Sequence, residues 1–563
     1  MTERSTILQA LRQQPQIDVL IIGGGVNGVG TLRDLALQGV SVLLVEKSDF
    51  CGGASAASSH MLHGGIRYLE NGEFRLVREA LHERNRLLQN APHYAKPLPT
   101  AIPIFRWWSG LLNAPLKFLN LLNKPSERGG ILIKLGLMMY DAFTGRQQTM
   151  PFHRVIGREE SLKKYPNMNP EIVCTAEYYD AWMPYPERLC LDMILDAEAA
   201  SDNAFALNYA PVVGGTNGEV VIRDVIGGSE ITVKPRVVIN AAGPWIDFVN
   251  GAITKSTRMI GGTKGSHLIL DHPQLLAATN GHEIFFENAD GRIVLILPYL
   301  GRVMVGTTDI RIDDPDQALC TEDEIDYMLT LVKRVFPSIM VNRSQVVFTF
   351  CGVRPLPSSD NSRTGAISRD HSIQTLDATA ERPYPVYALV GGKWTTFRAF
   401  SEQAADTALK TLGVRRTMTT EALPIGGGIN YPRDEQGQTL WLERLQQKAE
   451  LPLDQLRTLF ERYGTRAETV AQFMSASNDA PLASLPSYTQ REILFLTAYE
   501  KAESTADLVL RRTLIGMMGH ASRPVVEEIA ALVGKSKGWT PQQIADDISL
   551  TATILNQRHG LNI

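Results

Sequence analysis

The chain has little cysteine, and none in a metal-binding pattern. Cys51, Cys174, Cys190, Cys320 and Cys351 are scattered through 563 residues, and no C-x-x-C occurs. That excludes the usual zinc spacings and iron–sulfur clusters and fits reduced thiols in a cytoplasmic compartment. Long uncharged apolar runs are also missing. With no such stretch of about 18 residues, no membrane-spanning helix is expected. Neither sign of charge dominates: 56 Lys and Arg stand against 60 Asp and Glu, a net charge of −4, which argues against general nucleic-acid binding. The opening MTERSTILQALRQQPQ contains an acid and lacks an apolar segment, so a secretory signal is not expected. There is no internal repeat or low-complexity tract.

What is present is organised around Asp18 to Glu46, DVLIIGGGVNGVGTLRDLALQGVSVLLVE. Val19 to Ile22 is a continuous apolar run, the pattern of a strand buried on both faces. Gly23, Gly25 and Gly28 then complete G-x-G-x-x-G. The first permits the tight turn, the second lets backbone approach a pyrophosphate, and the third lets helix pack on strand. The helix start that follows offers free N–H groups to an anion. Val40 to Val45 reads as the next buried strand and ends at Glu46, 18 residues past Gly28, where a ribose hydroxyl is held in dinucleotide sites.

The length allows roughly two to four domains. Cys51 to Leu69, CGGASAASSHMLHGGIRYL, is a small-residue loop that lets backbone run close to a ligand. Glu73 to Gln89 is a helical pattern with Phe74, Val77, Leu81 and Leu88 on the apolar stripe and Arg75, Arg78, Glu79 and Glu83 on the wet face. Alternating strands begin near Val173. Val237 to Asn240 runs into Ala241-Ala242-Gly243, a strand end suited to close ligand approach. Ile284 to Phe286, Ile293 to Leu297 and Val303 to Val305 read as strands of a substrate-side sheet, and Glu322 to Phe336 as a helix. Cys351 to Leu356 reads as a turn carrying Arg354. Val386 to Val390 is a strand followed by Gly391-Gly392-Lys393-Trp394-Thr395-Thr396, where a helix begins. Gly426-Gly427-Gly428 marks a linker. The expected layout is a core over 17–424, with dinucleotide segments near 17–92, 173–250 and 350–410. Substrate- or membrane-facing segments near 93–172 and 251–349 interleave with them, and a helical domain follows at 430–563.

Several residues carry chemistry. His63 lies in the loop after the cofactor turn, and imidazole suits general-base work at neutral pH. Arg354 lies between Gly352 and Pro355, in a rigid position for holding an oxyanion or a developing alkoxide. Lys393 follows paired glycines at a helix start and can hold a phosphate or a cofactor's charge. Thr307 is a candidate hydroxyl donor to substrate, as is Thr308, and Arg369 a weaker candidate cation beside Asp370. Cys51 reads as structural.

Read together, GGGVNGVG at 23–30, HGGIRYLE at 63–70, FRLVREAL at 74–81, NAAGPW at 240–245, KGSH at 264–267, GTTD at 306–309, GVRPL at 352–356, ISRD at 367–370, GGKWTTF at 391–397 and ADLVLRRT at 506–513 resemble the FAD-dependent, aerobic, membrane-associated glycerol-3-phosphate dehydrogenases over nearly the whole length. The resemblance implies an α/β (α+β) fold of the D-amino-acid-oxidase type. In it, a Rossmann-like FAD domain interleaves with an antiparallel-sheet substrate domain and a C-terminal helical domain follows. The implied reaction is oxidation of glycerol 3-phosphate to dihydroxyacetone phosphate, with electrons passing through FAD to membrane quinone. It implies Arg67 and Tyr68 as phosphate ligands and His63, Arg354 and Lys393 as the catalytic set. Expected contacts to FAD are Gly23, Gly25, Gly28, Glu46, Ser58, Ser59, His60, Gly243, Gly391, Gly392 and Thr395, and no metal is expected. The chain departs from the family pattern at Ala54 and Ala56, where threonine and serine are usual, at His60, where lysine is usual, and at Tyr185-Pro186-Glu187-Arg188.

Alternatives remain at this stage: a dehydrogenase of another polyol phosphate such as a tetritol phosphate, an amine or amino-acid oxidase of the same fold, or a flavin-binding protein without activity. Trp107 to Lys124, WWSGLLNAPLKFLNLLNK, places Asn113, Lys117, Asn120 and Lys124 on one helical face and Trp108, Leu111, Leu112, Leu119 and Leu122 on the other. Aromatics with lysines are the composition of an interfacial helix. The expectation is therefore peripheral attachment to anionic lipid at the cytoplasmic face of the inner membrane, with Ile131 to Tyr140 dipping beside it. A helix packed on its own core, or a homodimer contact, are the competing readings.

Overall fold

In the computed structural model, residues 2–66, 73–109, 129–144, 150–288, 293–358 and 370–563 are described. Arg67, Tyr68, Arg369 and most of the 107–124 stretch lie outside them. Among the described residues the first sheet has eight strands, with Gln16–Ile22 at its centre. Val42–Val45 pairs with it in parallel on one side and Ser229–Asn240 on the other, and Val386–Val390 extends the sheet beyond Ser229–Asn240. Parallel strands are covered on both faces, so Val19 to Ile21 and Leu43 to Leu44 are fully buried. Helix Val26–Ala36 lies on this sheet beneath Phe397–Leu412 and Pro186–Ala200, which explains why even its Arg33 and Asp34 are buried.

The second sheet has ten strands among the described residues and is largely antiparallel. Thr263–Leu270 pairs with Arg302–Gly306 and with Val346–Arg354. Helix Glu322–Val335 closes one face with Met328, Leu331, Val332 and Val335. Helices from Glu435–Ala449 to Pro541–His559 share a separate apolar core.

The structure corrects several local expectations. Arg354 ends a strand, Val346–Arg354, instead of sitting in a turn. Glu83 is buried, because Arg398 at the start of the Phe397–Leu412 helix donates to it at 2.7 and 2.9 Å, so it does not face water. Gly426-Gly427-Gly428 is a buried turn and not a loose linker. The Gly426 N–H donates to Asp196 at 3.0 Å, and a Cβ on Gly427 would stand 1.9 Å from the Tyr463 carbonyl oxygen. Helix Gly130–Thr144 buries Leu137 and Tyr140 against the protein's own core, so that side of Ile131 to Tyr140 does not dip anywhere. Its other side exposes Leu135 at 54% and Met138 at 52%.

Candidate active site

The candidate site starts at the glycine turn. Gly23 has φ +113°, and a Cβ there would lie 2.6 Å from the Ala241 carbonyl oxygen; at Gly28 it would lie 1.9 Å from that of Gly23. Only glycine lets strand, turn and helix close up this far. Gly25 caps helix Val26–Ala36 without a side-chain hydrogen bond, so that, apart from the Val26 N–H, which Ser55 Oγ takes at 3.0 Å, the helix start leaves its donors for an anion. At the neighbouring strand end Glu46 accepts from the Gly24 N–H at 2.7 Å and from the Ser48 N–H at 3.0 Å. Oε1 is filled by the Ser48 N–H and Oγ, whereas Oε2, with one bond from Gly24, keeps a lone pair for a ribose hydroxyl. Asn27 Oδ1 is buried without a hydrogen-bond partner, and its Nδ2 faces Gly392. A cradle that a Cβ would fill, uncapped donors, a fixed acid and an orphaned amide oxygen fit a dinucleotide such as FAD.

Loop 50–65 then crosses toward the second sheet. The Cys51 N–H donates to the Gly24 carbonyl at 2.9 Å, the Val26 N–H to Ser55 Oγ at 3.0 Å, and Trp394 Nε1 to the Ser55 carbonyl at 2.8 Å. Ser59 Oγ lies 2.8 Å from His267 Nε2. Ser58 Oγ accepts the His60 N–H at 3.2 Å, a bond within the loop. His63 is held on both sides. Thr395 Oγ1 donates to its carbonyl at 3.1 Å, and the next N–H, of Gly64, donates to Tyr140 Oη at 3.0 Å and Asp180 Oδ1 at 3.2 Å. Arg84 binds the same Asp180 at 3.0 Å, in a fully buried pair.

Arg354 ends the strand of the second sheet whose Gly352 packs on this loop, where a Cβ would lie 2.6 Å from that of Ala57. Its guanidinium donates to Asp309 Oδ1 at 3.2 Å, Thr307 Oγ1 at 3.1 Å and the Thr308 carbonyl at 3.2 Å. Gly265 leaves room for it: a Cβ there would lie 2.2 Å from a guanidinium nitrogen. The Gly391 N–H donates to the Pro355 carbonyl at 3.1 Å, joining the strand end of Arg354 to the turn of Lys393. Behind them Glu324 accepts from Thr308 at 2.6 Å, Lys264 at 2.7 Å and Ser266 at 2.9 Å. Burial pushes Glu324 up, but bonds from Lys264, Thr308, Thr321 and Ser266 outweigh it and hold the carboxyl below the usual range. The acid stays charged and fixes Thr308 beside Thr307.

The structure thus brings His63, Arg354, Lys393, Thr307, Gly391, Gly392 and Thr395 to one junction, with His60 and Ser59 in the crossing loop. Gly23, Gly25, Gly28, Glu46 and Gly243 gather at the ends of the parallel strands, where Gly243 takes a left-handed φ of +57° with open space on its Cβ side. His267, Asp309 and Glu324 join the site without having been singled out. Glu324 was legible as the acid of a capping box, Thr321-x-x-Glu324. His267 ends the KGSH run, but nothing in its spacing separates it from a core histidine.

Two site histidines are neutral. His60, at φ +56°, packs its ring 5.6 Å from Tyr299 and 6.0 Å from Phe350. Burial lowers its pKa from 6.5 to about 4. His267 stacks on Phe350 at 4.8 Å and lies well below its usual range, first from burial and then from the charges of Arg354 and His60. A depressed imidazole pKa means the unfolded chain protonates first as pH falls. Its contribution to stability is present above pH 6.5 and is lost toward pH 4, by about 3 kcal/mol at most for His60. His60→Asn tolerates the left-handed backbone and does not titrate there. Its urea midpoint is expected to fall less steeply between those pH values than that of wild type, and parallel profiles would contradict this account.

A glycine turn fitted to a dinucleotide, tied through one loop to the segments that carry Arg354, Lys393 and His63, is the arrangement of a flavin-dependent oxidoreductase. The sequence matches the DAO family, FAD-dependent oxidoreductases, over residues 18–396, and the C-terminal domain of alpha-glycerophosphate oxidase over 418–544. It is 34% identical over 558 residues to a glycerol-3-phosphate dehydrogenase of Synechocystis sp., covering 94% of this chain and 95% of that protein. It is 32% identical over 518 residues to a D-erythritol 1-phosphate dehydrogenase of Brucella abortus, covering 88% and 94%. The FAD complex of a Bacillus halodurans glycerol-3-phosphate dehydrogenase has the same fold, at TM-score 0.75 and 22% identity over 99% of this chain and 97% of that one. The chain belongs to the glycerol-3-phosphate dehydrogenase family of FAD-dependent oxidoreductases.

Proposed function

We propose that the protein oxidises sn-glycerol 3-phosphate to dihydroxyacetone phosphate and passes the electrons to membrane quinone. The observation that carries this reading is the placement of Arg354, fixed by Thr307 and Asp309, against the His63 loop and the Lys393 turn. FAD, when bound, accepts the hydride from the alcohol carbon. His63 takes the hydroxyl proton on its imidazole, and its loop cannot drift because Thr395, Tyr140 and Asp180 hold the backbone on either side. Arg354 stabilises the developing alkoxide, and Lys393, Arg67, Tyr68 and Arg369 supply charge and donors to the phosphate. A tetritol phosphate is the second reading, favoured by the erythritol-phosphate relative and by Ala54, Ala56 and Glu187 where the family pattern differs. Dye-linked turnover across a panel of alcohols and amino acids tests the assignment.

No helix among the described residues is long and apolar enough to cross a membrane. The proposed attachment to the cytoplasmic face of the inner membrane is therefore peripheral. It uses Trp107 and Trp108, exposed at 41% and 72%, with Leu135 and Met138. Wild type is expected to float with anionic liposomes at low salt, and the variant with these four residues changed to serine to stay in the soluble fraction. A variant that floats as wild type does would assign this face to a homodimer or other contact.

A further inference from the structure

Asp49 is a fully buried carboxylate at the root of the cofactor loop, and its partners come from the other end of the chain. Arg511 Nε donates to its Oδ2 at 2.5 Å, while Arg512 donates to both oxygens at 2.6 and 2.9 Å, a bidentate grip. Asn208 completes the shell at 2.9 Å. Both arginines are fixed within the C-terminal domain. Arg512 also donates to the carbonyls of Glu500 and Lys501, at 2.8 and 3.1 Å, and Arg511 to Asp507 at 2.9 Å. Leu508–Arg512 is a π turn closed by the Thr513 N–H on the Leu508 carbonyl at 3.0 Å. With more residues per turn than an α-helix, it lets successive side chains diverge less, so adjacent arginines reach one carboxylate.

The position of Asp49 gives the grip its meaning. Just before it, Ser48 donates from N–H and Oγ to Glu46, the dinucleotide acid, at 3.0 and 3.1 Å. Just after it, the Cys51 N–H holds the Gly24 carbonyl of the glycine turn. Beyond that, the loop delivers Ser55 to the helix start and Ser59 to His267. A buried carboxylate without counter-charge would draw in water and pull this root open. We infer that Arg511 and Arg512 are positioning residues for the flavin: the C-terminal domain, acting through Asp49, sets the loop that holds FAD. The half-buried tie between the domains from Arg466 to Asp192 anchors helix Pro186–Ala200 and not this loop.

The test compares Arg512→Gln with Arg466→Gln, each stripped of FAD and titrated with it by flavin fluorescence, with Tm recorded for both. Arg512→Gln is expected to raise the Kd for FAD by about tenfold or more beyond the change in Arg466→Gln. Equal Kd changes, or changes that simply follow the loss of Tm, would overturn the assignment to positioning. Hydrogen exchange on wild type needs no variant to fold. Because coupling is reciprocal, adding FAD to the apoprotein should slow exchange in residues 505–516 as well as in 48–60. Protection confined to 48–60 would contradict the inference.

Discussion

Arg354→Ala is expected to lower kcat/KM by roughly two to three orders of magnitude while FAD remains bound, the effect of losing about 2–4 kcal/mol of transition-state stabilisation. The guanidinium is oriented before substrate arrives, by Thr307, the Thr308 carbonyl and Asp309. Its strand is locked to Thr263–Leu270 along the register from Thr263 opposite Arg354. Removing the side chain therefore leaves backbone and cofactor groove in place and withdraws only the charge. Arg354→Lys keeps a charge but not the planar fork, and should recover part of the loss. Near-normal turnover by Arg354→Ala would mean that the residue serves the fold and not the chemistry.

Gly28→Val is expected to yield a protein that does not retain flavin. The added Cβ would fall 1.9 Å from the Gly23 carbonyl oxygen, which belongs to backbone and cannot rotate away. Helix Val26–Ala36 must then lift from its strand, moving its first N–H groups off the anion position, Val26 off Ser55 and Asn27 away from Gly392. Overpacking of this kind costs about 1–3 kcal/mol, and the displaced donors add a weakening of FAD binding by roughly tenfold to a hundredfold. Purified variant should be colourless, with a lower Tm, where wild type is yellow. A fully flavinated Gly28→Val would show that the turn does not hold the dinucleotide.

The dinucleotide half was legible because its physics is local. The buried strand, the glycines and Glu46 each report on neighbours close in sequence, and the sheet register places them as that pattern requires. The second sheet was legible strand by strand but not in its pairing, which joins segments distant in sequence. Thus Arg354 read as a turn residue, when its strand partner is Thr263. Burial of polar groups was the least legible property. Glu83 carries a charge on what looks like a wet helix face, and the arrival of Arg398 from far along the chain, beside the local Arg86, explains its place inside. His267 and Glu324 were missed for the same reason: their roles come from Ser59, Lys264 and Thr308, which tertiary structure alone assembles around them.

The assigned reaction rests most directly on substrate choice. Turnover with an artificial electron acceptor should be compared for sn-glycerol 3-phosphate, tetritol phosphates, free glycerol, and glycine and D-amino acids, using FAD-loaded protein. The account predicts the highest kcat/KM with sn-glycerol 3-phosphate and little turnover of free glycerol, since the cationic junction has no phosphate to hold. A tetritol phosphate in first place would keep the chemistry and change the substrate, whereas an amino acid in first place, or free glycerol turned over as well as its phosphate, would contradict the account.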